Sequence, residues 1–154
     1  MSVYGDKAFE AFHKGYNCSQ SVALAFAPEM GLSKEQTLKM AAGFGGGFGR
    51  MREVCGAFSG LTLVLGALYG SDDPAQKTQI YTEVQALAEE YKQRSGGGSI
   101  ICRELLGLSK PEGTPVASPR TAEYYQKRPC AELVRMAADL LAEYIKQHPL
   151  PDAH

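Results

Sequence analysis

The chain has 154 residues, a formal net charge of −1, 44% hydrophobic residues and 21% charged ones. This is the composition of one globular domain over residues 1–154, long enough to bury a core. It argues against nucleic-acid binding through a broad basic footprint, which needs a strong positive excess.

In chain order, helical spacing dominates. "YGDKAFEAFHKG" sets Ala8, Phe9 and Phe12 on one face and stops at Gly15. Its apolar content follows no basic start, so no signal peptide is expected and the expected compartment is the cytoplasm. "NCSQSVALAFAPEMG" opens with Asn17 three residues before Gln20, a capping-box variant, and closes at Pro28 and Gly31. "SKEQTLKMAAGFGGG" starts at the cap Ser33 and dissolves into glycine at Gly43. The next helix is expected from about Glu53 to Tyr69. Its run "GAFSGLTLVLGALYG" is too short and too glycine-broken to cross a bilayer, so no membrane insertion is expected.

"DPAQKTQIYTEVQALAEEYKQRSGGG" is the clearest helix. Asp73 caps it, Pro74 takes the first helical position, and Gly96 to Gly98 end it. Ile80, Val84, Leu87 and Tyr91 form its apolar stripe. A short helix follows in "SIICRELLG". "LSKPEGTPVASPRTAEYYQKR", with three prolines, reads as a loop. The last helix, "PCAELVRMAADLLAEYIKQH", ends at His148, and "PLPDAH" is a tail. No strand pattern and no internal repeat appear. The expected fold is all-α: a single compact domain of six or seven helices with a glycine-rich interhelical loop, "GFGGGFG", from Gly43 to Gly49. That loop follows no strand and lacks the Lys-Ser/Thr pair of a phosphate-binding loop, so it reads as a tight turn anchored by Phe44 and Phe48.

The four cysteines, Cys18, Cys55, Cys102 and Cys130, contain no C-x-x-C pair. Any joint site must be assembled by folding. Each falls at the expected start of a helix: after Asn17, after the glycine run, three residues beyond Ser99, and after Pro129. Free N–H groups and the helix dipole favour thiolate there. Basic neighbours add to this: Arg50 and Arg52 before Cys55, Arg103 after Cys102, Lys127 and Arg128 before Cys130. Against it stands the ordinary fate of cysteine as a small buried hydrophobe. Gly56 and Gly60 lie four apart on one helical face beside Cys55, which implies close approach of a neighbouring helix, a second subunit or a bound group. His13, His148 and His154 read as surface groups, and Tyr124 and Tyr125 as core packing.

"GYNCSQSV" around Cys18, "CGAFSG" from Cys55 to Gly60, "ICRELLG" at Cys102 and "RPCAELV" at Cys130 together resemble the C_GCAxxG_C_C family, over nearly the whole chain. That family is named for its four cysteines and is proposed, from that pattern, to be redox-active. The resemblance supports the fold and the cysteine site but supplies no reaction.

Three functions follow as expectations. The first is a thiol redox protein, a thiol oxidoreductase acting with an unidentified redox partner. In it Cys55 would be the nucleophile, because its small neighbours leave the sulfur approachable, and Cys18 or Cys130 would resolve the intermediate. The second is a zinc or iron–sulfur site held by Cys18, Cys55, Cys102 and Cys130. The third is a helical binding or assembly module, including a homo-oligomer, with the thiols as packing.

Overall fold

The computed structural model describes residues 2–108 and 114–150. The tail from 151 onward, and the "SKPEG" part of the segment read as a loop, lie outside the described residues. Among the described residues there are nine α-helical segments and no strand beyond one isolated bridge. None of these helices is long and apolar enough to cross a membrane.

The first helices obey their local signals. α1 (Val3–His13) is capped by Ser2 and ends before Gly15, whose φ is 104°. α2 (Cys18–Ala25) carries the full capping box: the Asn17 side chain accepts from the Gln20 N–H at 2.8 Å, and the Asn17 N–H donates to Gln20 Oε1 at 3.1 Å. The helix expected to continue to Met30 instead breaks at Phe26, and Pro28 restarts it as α3 (Ala27–Met30), closed by Gly31 at φ 71°. α4 (Lys34–Ala41) has a second capping box from Ser33 and Gln36. A short 3-10 turn over Ala42–Phe44 follows.

α5 begins at Gly56, three residues later than expected, and runs to Tyr69. The reason lies in residues 46–52, where Gly46, Gly47, Phe48, Gly49, Arg50 and Arg52 all have positive φ. This left-handed series reverses the chain and holds it away from helix until Cys55. α6 (Lys77–Arg94) follows a 3-10 turn over Pro74–Gln76, with the Asp73 carboxylate accepting from Ala75 N–H at 3.0 Å. α7 (Cys102–Leu105) is one turn long. α8 (Ala122–Lys127) lies inside the segment read as a loop. Thr121 caps it, and its six residues are too few for an apolar period to show. α9 (Cys130–Gln147) begins after Pro129.

α1, α2, α5 and α9 pack against one another, and α6 covers α5 and α9. Phe12, Phe26, Leu61, Leu65, Val134 and Leu141 are fully buried between them. Glycine sets the close crossing of α2 and α5. A Cβ built on Gly60 would lie 2.7 Å from the Ser19 carbonyl oxygen and 3.0 Å from Ser19 Cα. One built on Gly56 would lie 3.1 Å from Cys18 Cβ. The close approach implied by the Gly56–Gly60 spacing is therefore that of α2, and it presses the start of α2 onto the start of α5.

Candidate functional site

Four chain segments deliver one thiol each. Cys18, Cys102 and Cys130 are the first residues of α2, α7 and α9, and Cys55 is the N-cap of α5. An antiparallel bridge between Val54 and Ile101 ties two of these starts together. Cys55 N–H donates to the Ile100 carbonyl at 2.7 Å, and Cys102 N–H to the Glu53 carbonyl at 2.6 Å. In that register Cys55 and Cys102 lie diagonally across the bridge, on the same face.

All four cysteines line one cavity of about 60 Å³, together with Arg52 and Tyr124. All four thiols are free.

Their environments differ. The Cys55 sulfur is 3.1 Å from the hydroxyl of the fully buried Tyr91, and the residue is 5% exposed. Burial pushes its thiol up to about 11, with the Tyr91 contact only partly offsetting. These surroundings favour the protonated Cys55 thiol over the lowered, approachable one expected from the sequence. The basic residues placed beside it by sequence go elsewhere. Arg52 donates to Cys102 Sγ at 3.7 Å, while Arg50 donates to the Thr114 carbonyl at 2.7 Å and to Ser118 Oγ at 2.9 Å. Cys102 is raised by burial despite the Arg52 contact. Arg103, expected to act on Cys102, ion-pairs with Glu53 at 3.1 Å.

Cys18 and Cys130 form a hydrogen-bonded pair. Cys18 is held well above the ordinary thiol range, first by its bond to Cys130 and then by burial. Cys130 is pushed down to about 7, first by the Cys18 bond, against its own burial, and further by the charges of Arg128 and Arg52 and a Tyr124 hydrogen bond. Burial raises Tyr124 to about 12, with the charges of Cys130 and Cys18 adding to it, so its hydroxyl keeps its proton and donates. The dipole of an 18-residue helix adds to the same effect at Cys130.

Sequence reasoning missed three neighbours of the site. Tyr124 was assigned to packing, yet it lines the cavity. Tyr91 was assigned to the α6 stripe, where it is indeed buried, but it also engages Cys55. Arg120 carried no local signal and lines the cavity too. His13 stacks on Tyr125 and is not among the residues lining the thiol cavity, His148 bonds the Tyr144 carbonyl, and His154 lies outside the described residues.

The donor set does not fit a metal centre as arranged. Among the described residues, no three His, Cys, Asp or Glu side chains group so as to hold one ion. Cys55 is engaged by Tyr91, and Cys102 by Arg52.

The raised Cys55 has a consequence for stability. An unfolded thiol titrates near about 8.5, and the folded one near about 11. Between these the folded state holds a proton that the unfolded state has lost. The contribution is complete below about pH 8.5 and is lost as pH rises through the folded value, at up to about 1.4 kcal/mol per pH unit. Cys55→Ser removes this titration while leaving Tyr91 a hydroxyl partner. Denaturant titrations of reduced protein from pH 8 to 11 are expected to show a shallower decline in the variant; equal slopes would contradict the assignment.

A helical chain that sets four free thiols at helix starts around one cavity defines a cysteine-site protein. The model of the family described as "Putative redox-active protein (C_GCAxxG_C_C)" matches residues 16–144, and the chain belongs to that family. No curated protein and no solved structure matches it.

Proposed function

We propose that the protein is a thiol–disulfide oxidoreductase in which Cys130 attacks and Cys18 resolves. The observation that carries this reading is the hydrogen bond between the Cys18 and Cys130 sulfurs in the shared cavity, beside the charges of Arg128 and Arg52 that favour thiolate on Cys130. A thiolate is the attacking species, and a value near ambient pH combines thiolate fraction with nucleophilicity.

The Cys130 thiolate attacks one sulfur of a disulfide R–S–S–R. The Cys130–S–S–R bond forms, and RS⁻ leaves. The Cys18 thiol then gives up its proton and attacks the Cys130 sulfur, releasing a second RS⁻. Two electrons have passed to the substrate, and the protein holds a Cys18–Cys130 disulfide. Run backwards, the same steps reduce the protein. Tyr124 holds the Cys130 sulfur through its hydrogen bond, and Arg128 and Arg52 stabilise the charge on it.

Peptide mapping after oxidation of the reduced protein with one equivalent of a small disulfide tests this. A Cys18–Cys130 linkage is the expected product. A Cys55–Cys102 linkage, or no intramolecular linkage, would overturn it.

A further inference from the structure

We infer that Arg120 is a positioning residue of the thiol pair: anchored on the turn before Cys18, it holds Tyr124 so that the tyrosine hydroxyl stays on the Cys130 sulfur. This rests on the dithiol reading above.

α8 has little of its own to keep it in place. It is six residues long with none of them fully buried, and its cap is the Thr121 side chain, which accepts from Tyr124 N–H at 3.1 Å. A helix this short is not stable alone. Yet Tyr124, its third residue, carries the hydroxyl that donates to Cys130. The aim of that bond depends on where α8 sits.

Arg120 ties α8 to the body of the protein. It directly precedes the Thr121 cap and lines the thiol cavity. Its Nη1 donates to the Phe12 carbonyl at 2.8 Å and to the Tyr125 hydroxyl at 3.4 Å, and its Nη2 donates to the Tyr16 carbonyl at 2.9 Å. Phe12 lies in the last turn of α1, and Tyr16 stands two residues before Cys18. That turn has its own support in the Asn17–Gln20 capping box, so it is the anchor and α8 is what is held. The guanidinium carbon lies 4.0 Å from the Phe12 ring centroid, 5.2 Å from that of Tyr124 and 5.8 Å from that of Tyr125. A planar fork that bonds two carbonyls while packing on rings fixes their relative geometry, which a point charge on a flexible stem does not.

Charge acts in the same direction. Arg120 works on Tyr124 against the effect of burial, which strengthens the hydroxyl as a donor to a thiolate. Cys18, Cys55, Cys102, Arg52 and Arg128 also face Cys130. The Arg120 guanidinium sits against Tyr124. No bond of the exchange is made or broken on Arg120.

The Cys130 midpoint for alkylation by iodoacetamide is read from pH 5 to 10 in reduced parent, Tyr124→Phe, Arg120→Gln, Arg120→Lys and the Tyr124→Phe/Arg120→Gln double variant, each with a thermal melt. Tyr124→Phe is expected to raise the midpoint by about one pH unit, the loss of a hydrogen bond to a charged sulfur. Arg120→Gln is expected to raise it by about half a unit, because that bond is loosened rather than removed. Arg120→Lys is expected to follow Arg120→Gln, since it keeps the charge and loses the fork. In the Tyr124→Phe background, Arg120→Gln is expected to add nothing. A purely structural Arg120 would lower the melting temperature and leave the midpoint in place. That result, a shift that persists in the Tyr124→Phe background, or a lysine variant that matches the parent would overturn the proposal and leave the dithiol reading intact. Tyr124→Phe removes a single oxygen, so it keeps the test decisive if the Arg120 variants do not fold: an unchanged midpoint there would also overturn the proposal. Oxidation of the parent with hydroxyethyl disulfide checks the reading beneath it, and failure to form the Cys18–Cys130 disulfide would overturn both.

Discussion

Cys130→Ser abolishes single-turnover oxidation of the reduced protein by a small disulfide, and Cys18→Ser stops it halfway, as a stable mixed disulfide on Cys130. These are the expected results if Cys130 attacks and Cys18 resolves. Cys55→Ser oxidises at close to the parent rate. The contrast is quantitative. At pH 7 a thiol near 7 is about half ionised, whereas one near 11 is ionised to about one part in ten thousand. The higher-pKa thiolate is the better nucleophile, which returns a factor of roughly 60 over four units. Cys130 still leads Cys55 by roughly a hundredfold. Mass spectrometry of quenched reactions distinguishes the three variants. A mixed disulfide that accumulates on Cys55, or a Cys130→Ser protein that oxidises at the parent rate, would contradict the assignment.

The second large effect is on the scaffold. Gly60→Ala puts a methyl 2.7 Å from the Ser19 carbonyl oxygen and 3.0 Å from Ser19 Cα, which are backbone atoms that cannot swing aside. Overpacking of this kind costs about 1–3 kcal/mol, and the helix-propensity gain of about 1 kcal/mol offsets only part of it. α2 must move away from α5, and Cys18 moves with it. Gly66→Ala is the control: it lies on the same helix, with nothing within 4 Å of its built Cβ. It is expected to gain about 0.5–1 kcal/mol. Thermal melts should move in opposite directions, by about 2–4 °C per kcal/mol for a chain of this size. Gly60→Ala should also slow closure of the Cys18–Cys130 disulfide. Equal stability of the two variants would show that the α2–α5 crossing is not set by glycine.

What the sequence revealed was local. Asn17 with Gln20, Ser33 with Gln36, and Pro129 are short-range signals, and each marks a helix start found in the structure. Because the cysteines sit beside such signals, their placement at helix starts was legible. The pairing of arginines with sulfurs was not. Arg52 reaches Cys102, fifty residues away, because a left-handed backbone at φ 59° and a single Val54–Ile101 bridge bring the two segments together. One bridge pair has no alternation to detect.

Cys55 shows how one sequence feature carries two opposite readings. Its glycine and alanine neighbours were read as open space around the sulfur. Small residues are what allow α2 to close on α5, so the same residues bury Cys55 and raise its thiol. Cys130 lies among larger residues but keeps a hydrogen-bond donor in Cys18 and positive charge from Arg128 and Arg52. Hydrogen bonding and charge lower a thiol, and steric room does not.

The central claim is that Cys130 carries the thiolate of a pair whose other proton stays on Cys18. Alkylation of reduced, metal-free protein with iodoacetamide from pH 5 to 10, with each cysteine assigned by peptide mass, tests it most directly. The account requires Cys130 to label first, with a rate that rises through a midpoint near pH 7, and requires Cys55 to label last. Labelling that begins on Cys55, or a Cys130 midpoint at the ordinary thiol value of about 8.5, would contradict it.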